Sequence, residues 1–169
     1  MPQFSATRDA NEPNDGRADF DPLFGRWNVH HRRLQKRLEG DTNWDEFSGV
    51  SEMRPLMNGM GNVDDNLLEL PAGTYRAATI RTFDPETKLW AIWWIDGRNP
   101  STIDVPVRGS FKDGVGTFLC DDTFNGIPIT VRFIWSEITE NSARWQQAFS
   151  TDGGGTWETN WDMRFTRAA

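Results

Sequence analysis

At 169 residues the chain is about one domain long, enough to bury roughly two thirds of its unfolded surface around one core without disulfides or metals. Its net charge of −7 and pI near 4.8 oppose nucleic-acid binding, which needs a basic face to displace counterions, and no run approaches the ~18 apolar residues of a membrane-spanning helix. The apolar content is modest at 37% but unusually aromatic, with nine Trp and eleven Phe against a single Tyr, so large flat faces are available for stacking.

The first segment, M-P-Q-F-S-A-T-R-D-A-N-E-P-N-D-G-R, has no apolar core for a secretion signal and reads as a disordered leader over 1–19. Cys120 is alone, which excludes an intrachain disulfide and fits a cytoplasmic protein. After Asp21-Pro22, apolar, β-branched and aromatic runs alternate with turn residues every eight to twelve positions, the pattern of an all-β chain. Strands are predicted at 26–36, 44–54, 61–70, 74–84, 88–96, 104–112, 115–124, 127–136, 143–150 and 157–167. The connectors carry their own chemistry: Asp-Pro at 84–85, Asp-Gly at 113–114 and Asn-Gly at 125–126 belong to tight hairpins that pair successive strands. A meander of about ten strands removes its edges by closing into a barrel, with a two-sheet sandwich as the alternative.

The first strand carries a basic run, H-H-R-R-L-Q-K-R at 30–37, which strand alternation splits between two faces rather than gathering into a patch. The fifth, L-W-A-I-W-W-I-D, places Trp90, Ile92, Trp94 and Asp96 on one face, with Arg98 continuing the parity, and Leu89, Ala91, Trp93 and Ile95 on the other. Both faces are apolar, so the inner one is expected to line a core or cavity. The outer one is expected to form a contact between two copies of the chain, a homodimer.

The segment S-T-D-G-G-G-T-W at 150–157 resembles the Asp-box of sialidase propellers. A propeller needs several copies at a period of ~40–50 residues. One copy reads instead as a self-bonded hairpin, in which Asp152 accepts turn amides and the glycines take positive φ.

F-G-R-W at 24–27 opens the first strand, and E-T-N-W-D-M-R-F-T-R at 158–167 closes the last. Gly25-x-Trp27 resembles the G-x-W signature of lipocalin-like barrels, in which the Trp plugs the closed end and an Arg of the last strand lies across it; Arg167 stands where that Arg is needed. With these features the chain resembles the calycin superfamily. It is more closely similar to a bacterial branch of short lipocalin-like proteins with endings of the S-x-D-G-G-x-T-W-E-x-N-W kind, and distantly similar to nitrobindin-like ten-stranded barrels. The resemblance covers about residues 20–167 and implies a single closed antiparallel meander β-barrel domain, 20–169, with an internal small-molecule cavity. Nitrobindin-like barrels hold haem through a histidine of their C-terminal part. The only histidines here are His30 and His31 on the first strand, so no cofactor is expected.

Adjacent histidines on a strand face opposite ways, and no H-x-H pair or Cys cluster is present, so no metal site is expected. If Trp27 faces inward, so do His31 and Arg33. His31 is then either a hydrogen-bonded wall residue or a general acid or base acting with Asp96 or Glu52. Trp90 and Trp94, with Arg98 as a charged rim, form a candidate ligand wall; Trp157, Trp161, Met163 and Phe165 form a second one on the closing strand. The expected function is binding of a small hydrophobic or aromatic metabolite, with no nucleic-acid or membrane partner. The alternative is a cofactor-independent lyase, isomerase or cyclase acting in the same cavity through His31, Asp96 and Glu52.

Overall fold

The computed structural model describes residues 13–169. Ten strands follow one another: β1 Gly25–Leu34, β2 Trp44–Leu56, β3 Gly61–Leu70, β4 Gly73–Asp84, β5 Leu89–Asp96, β6 Val107–Lys112, β7 Val115–Phe124, β8 Ile127–Ser136, β9 Ser142–Ser150 and β10 Glu158–Arg167. Each pairs antiparallel with its successor and β1 pairs with β10, which closes the barrel. The hairpin chemistry is as the sequence specifies: Asp113 and Gly114 have φ of 50° and 79°, and Asn125 and Gly126 have 49° and 79°, the left-handed pair that a two-residue hairpin turn requires.

One strand starts later than expected. Pro106 has no N–H to give to a ladder, so β6 begins at Val107 rather than 104 and pairs with β5 over three residues only, Trp90–Ile92. Below that short ladder the wall is completed by the loop 97–106, pinned by an Ile95–Ile103 bridge and by the Asp104 N–H donating to the Trp94 carbonyl at 3.1 Å.

The closed end is built around Trp27, which is 1% exposed and donates its indole N–H to the Leu23 carbonyl at 2.8 Å. The Arg167 guanidinium lies 4.1 Å from its ring centroid and donates to the carbonyls of Pro22, Phe24 and Glu140. Gly25 has φ of +111°, and a Cβ there would stand 2.9 Å from Arg167 Nη1, so the glycine of G-x-W is what lets the arginine approach.

Residues 13–19, counted in the expected leader, are structured. They form turns against this end: the Gly16 carbonyl accepts the Trp90 indole N–H at 3.1 Å, Arg17 pairs with Asp15 at 2.8 Å, and Phe20 is fully buried against Trp90, Phe111, Phe118 and Trp135. The rest of that expectation, over 1–12, lies outside the described residues.

The Asp-box segment is a self-bonded hairpin. Asp152 accepts the Thr156 N–H and hydroxyl, each at 2.8 Å, and the Ser150 hydroxyl at 2.7 Å; the N–H donated by Thr156 leads the bonds that hold its carboxyl down to about 2. Trp157 does not share the inner face with Trp161. A β-bulge between Thr159 and Trp161 makes Asn160 an extra residue and inverts the parity before it, so Trp157 lies outside under Arg132, 4.1 Å away.

Candidate functional site

The barrel interior is filled at the Trp27 end and hollow at the other. The cavity, of about 310 Å³, lies between the ends of β1, β5, β7 and β9 and the starts of β4, β6, β8 and β10. Its size falls at the lower end of small-molecule sites. Strand parity decides its walls: Ile92, Trp94, Val107, Val131, Phe133, Trp145, Phe149 and Trp161 all point inward and make the deep part apolar. Charge is confined to the mouth, where Arg33, Arg37, Asp96, Arg98, Asp104 and Asp122 stand around Tyr75 and Phe124.

Trp161 is the centre of the aromatic wall. Trp94 and Trp145 meet it edge-on at centroid distances of 5.8 and 5.5 Å, the favoured geometry for ring quadrupoles, and Arg33 lies 5.1 Å from its ring. Its orientation is set by His31, whose Nδ1 accepts the Trp161 indole N–H at 3.1 Å. His31 is stacked on Phe47 at 4.6 Å and is 3% exposed. Gly49 makes room for it, because a Cβ there would stand 2.7 Å from His31 Nε2. Burial first, then the charges of Arg33 and His30, pull the His31 pKa down to about 3, so the ring is neutral at any physiological pH.

The expected site residues therefore separate. Trp94, Asp96, Arg98, Arg33 and Trp161 line the cavity together. His31 does not line it; it sits behind Trp161, and its buried, neutral ring takes the wall-residue role rather than that of a neutral-pH proton carrier. Trp90 belongs to the closed end, packed on Phe20 at 4.8 Å and Phe83 at 5.3 Å, because it lies four residues deeper along β5 than Trp94. Glu52 is exposed: on β2 the inward parity is Phe47, Gly49, Ser51 and Met53, so Glu52 faces solvent, cross-strand from Arg26 and Asp65. Asp96 and Arg98 pair with each other at 2.7 Å, and this bond holds the Asp96 carboxyl below its usual range. Arg98 also stacks on Tyr75 at 3.7 Å.

Residues that the sequence reading passed over complete the mouth. Parity on β4, β7 and β9 would have found Tyr75, Phe124, Trp145, Gln147 and Phe149. Arg37 and Asp104 lie on loops, where no periodicity speaks for them. The Asp104 carboxyl is pushed above its usual range by partial burial and by the neighbouring Asp122 and Asp96. The Cys120 thiol, also in the wall, is raised to about 11 by burial and nearby carboxylates, so it is a poor nucleophile. Among the described residues, no three His, Cys, Asp or Glu side chains are grouped so as to hold a metal ion.

Beneath Trp94 and Trp145 a polar cluster occupies the middle of the barrel. Arg81 and Asp64 form an ion pair at 2.7 Å, 3% exposed each, with Asn62 accepting from Arg81 at 2.9 Å and the Thr79 N–H donating to Asp64 at 3.1 Å. A void of about 30 Å³ adjoins it, the room of a single water, and the buried Arg81 Nε and Trp135 Nε1 have no protein acceptor.

Fold and site together define a lipocalin-like, ten-stranded β-barrel with one open, aromatic cavity. No protein-family model matches the chain, and no curated protein matches it in sequence. Among solved structures it is similar to the S-type phycobiliprotein lyase CPES from Guillardia theta, at 10% identity and a TM-score of 0.60 over 99% of both chains, a likeness of fold. A redesigned β-barrel, mFAP0 bound to DFHBI, is similar at 11% identity and a TM-score of 0.45, over 86% of this chain and 99% of the other.

Proposed function

We propose that the protein binds a small aromatic molecule in the open cavity of its barrel. The observation that carries this is the division of the lining: three tryptophans and two phenylalanines around a deep apolar slot, with every charged group at the mouth. Such a division favours a flat apolar body held by stacking and oriented by a few polar groups at one end. The wall is built before any ligand arrives, since the Trp161 ring is already fixed by His31, Trp94 and Trp145; this lowers the ordering cost of binding.

A cofactor-independent lyase- or isomerase-type enzyme is the second reading. It draws on Asp104 rather than His31, because a carboxyl raised by its surroundings at a cavity mouth is suited to proton transfer. A protein of the same fold carries a lyase's name, but at 10% identity that likeness is one of fold.

Native mass spectrometry of protein purified from its own cells tests the binding reading. The expected result is a species heavier by one small molecule that absorbs in the near ultraviolet once released. Apo protein alone, with tryptophan fluorescence unmoved by a panel of planar aromatics, would count against it.

A further inference from the structure

Two arginines of the cavity mouth make no direct ion pair among the described residues, although carboxylates act on both at longer range. Arg33 makes one hydrogen bond, from Nη1 to the Tyr75 hydroxyl at 3.3 Å, and otherwise lies over the rings of Trp161 and Phe47 at 5.1 and 5.7 Å. The Arg37 guanidinium makes no hydrogen bond and no ion pair among the described residues. It is held between Phe124 and Phe149, 5.9 and 5.8 Å from their centroids.

The carboxylates around them are engaged or out of reach. Asp96 is taken by Arg98, Glu158 accepts the Leu38 N–H at 2.9 Å, and Asp122 accepts the Thr123 N–H at 2.7 Å. Asp104, the remaining carboxylate of the mouth, makes no ion pair with either arginine, although it and Arg37 favour each other's charged form at longer range. Burial first, then the charge of Arg33, pull the Arg37 pKa down to about 10, with Tyr75, Glu158 and Asp104 offsetting only part of that.

Two like charges line one cavity, partly desolvated, repelling each other, and with most of their N–H donors unbonded among the described residues. Such an arrangement is explained when the missing acceptor is the ligand, because a planar guanidinium fork matches a carboxylate and binds it most strongly away from bulk water.

We infer that the cavity's ligand is an aromatic carboxylate, its ring against Trp161 and Phe149 and its anion between Arg33 and Arg37. This rests on the proposal that the cavity binds an aromatic molecule and adds the charge of that molecule and the side of the mouth on which it sits. Asp104 and Asp122, at the same mouth, disfavour a second anionic group on the ligand.

The test compares 1-naphthaleneacetate with 1-naphthaleneacetamide, nearly the same size and differing in charge, by calorimetric titration of the wild type, Arg33→Gln and Arg37→Gln at low and moderate salt. The acid is expected to bind the wild type at least tenfold more tightly than the amide. Each substitution should remove most of that ratio by weakening the acid far more than the amide, and raising salt should weaken the acid more than the amide. Thermal melting of the free variants supplies a second reading: a pair kept for a ligand leaves the empty protein as stable or more stable when one charge is removed. Equal binding of acid and amide to the wild type overturns the inference and leaves the aromatic cavity standing. A preference that survives both substitutions, or a large loss of stability with unchanged acid affinity, also overturns it. Failure of both compounds to bind overturns the inference together with the reading beneath it.

Discussion

The indole N–H of Trp161 is donated to Nδ1 of His31 at 3.1 Å, and burial keeps the imidazole neutral, so that nitrogen stays an acceptor even at acid pH. The histidine thus acts on the cavity through the tryptophan it positions. His31→Leu would leave a buried indole N–H without a partner, which costs about 1–3 kcal/mol, and would loosen the ring that Trp94 and Trp145 meet edge-on. Chemical denaturation measures the loss, and the solvent-exchange rate of the Trp161 indole N–H, read by NMR, measures the loosening. Gly49→Ala should act in the same direction, since its Cβ would meet both His31 Nε2 and the Leu67 carbonyl.

The same pair predicts a pH dependence. The folded-state pKa of His31 is about 3 and its ordinary value is 6.5, so between these limits the unfolded chain binds a proton that the folded chain refuses. Stability therefore rises with pH in that window and falls as the pH is lowered from 6.5 toward 3. Between pH 7.5 and 5 the loss is about 2 kcal/mol. His31→Gln, which keeps an acceptor but cannot charge, should flatten the slope in that range. Identical slopes for the two proteins in denaturation series would mean that His31 is not the group responsible.

At the closed end, Arg167→Ala removes a guanidinium that serves three backbone carbonyls and one indole face. The expected loss is about 2–4 kcal/mol, from charge-assisted hydrogen bonds and stacking. Binding at the far mouth should be unchanged in protein that remains folded. A variant with weakened binding and unaltered stability would show that the two ends are coupled.

In the mid-barrel cluster, Asp64→Ala leaves Arg81 buried without its counter-ion, a change worth about 3–5 kcal/mol. Replacing both by residues of similar volume, Asp64→Leu with Arg81→Met, should recover much of the loss. Equilibrium unfolding of the single and double variants decides this, and equal losses in the two would contradict the account of the pair.

The outer face of β5 bears on a proposed homodimer. Part of the expected cover comes from the chain itself, since Arg108 lies 6.0 Å from the Trp93 ring and Ile103 bridges Ile95. Leu89, Ile103 and Leu119 remain 38, 57 and 44% exposed beside them, an apolar strip that a second copy would bury. Light scattering should show a dimer for the wild type and a monomer for Trp93→Lys; one mass for both would remove the proposal.

The barrel was legible because its signals are local. Hairpin turns at Asp113-Gly114 and Asn125-Gly126 set the pairing, and the parity of Trp94, Asp96 and Arg33 set the cavity face. Trp90 and Glu52 show where such signals end. Trp90 shares a face with Trp94, but depth along the barrel axis is fixed by what Phe20 and Phe83 bring to it, and parity carries no depth. Glu52 has a charge suited to a site but the parity of solvent, with Ser51 and Met53 on the inner face. Arg37 lies in a loop whose path depends on the closed barrel, and Trp157 is turned outward by a bulge at Asn160 that no turn residue announces.

The most direct measurement of the central claim is a calorimetric titration of a planar aromatic series, acids and neutral compounds together, into the wild type and into Cys120→Phe. That half-buried wall position puts a ring into the cavity. One saturable site per chain is expected in the wild type, and at least tenfold weaker binding in the variant, compared in protein that melts cooperatively. Equal affinity in the two proteins, or no binding by any member of the series, would contradict that claim.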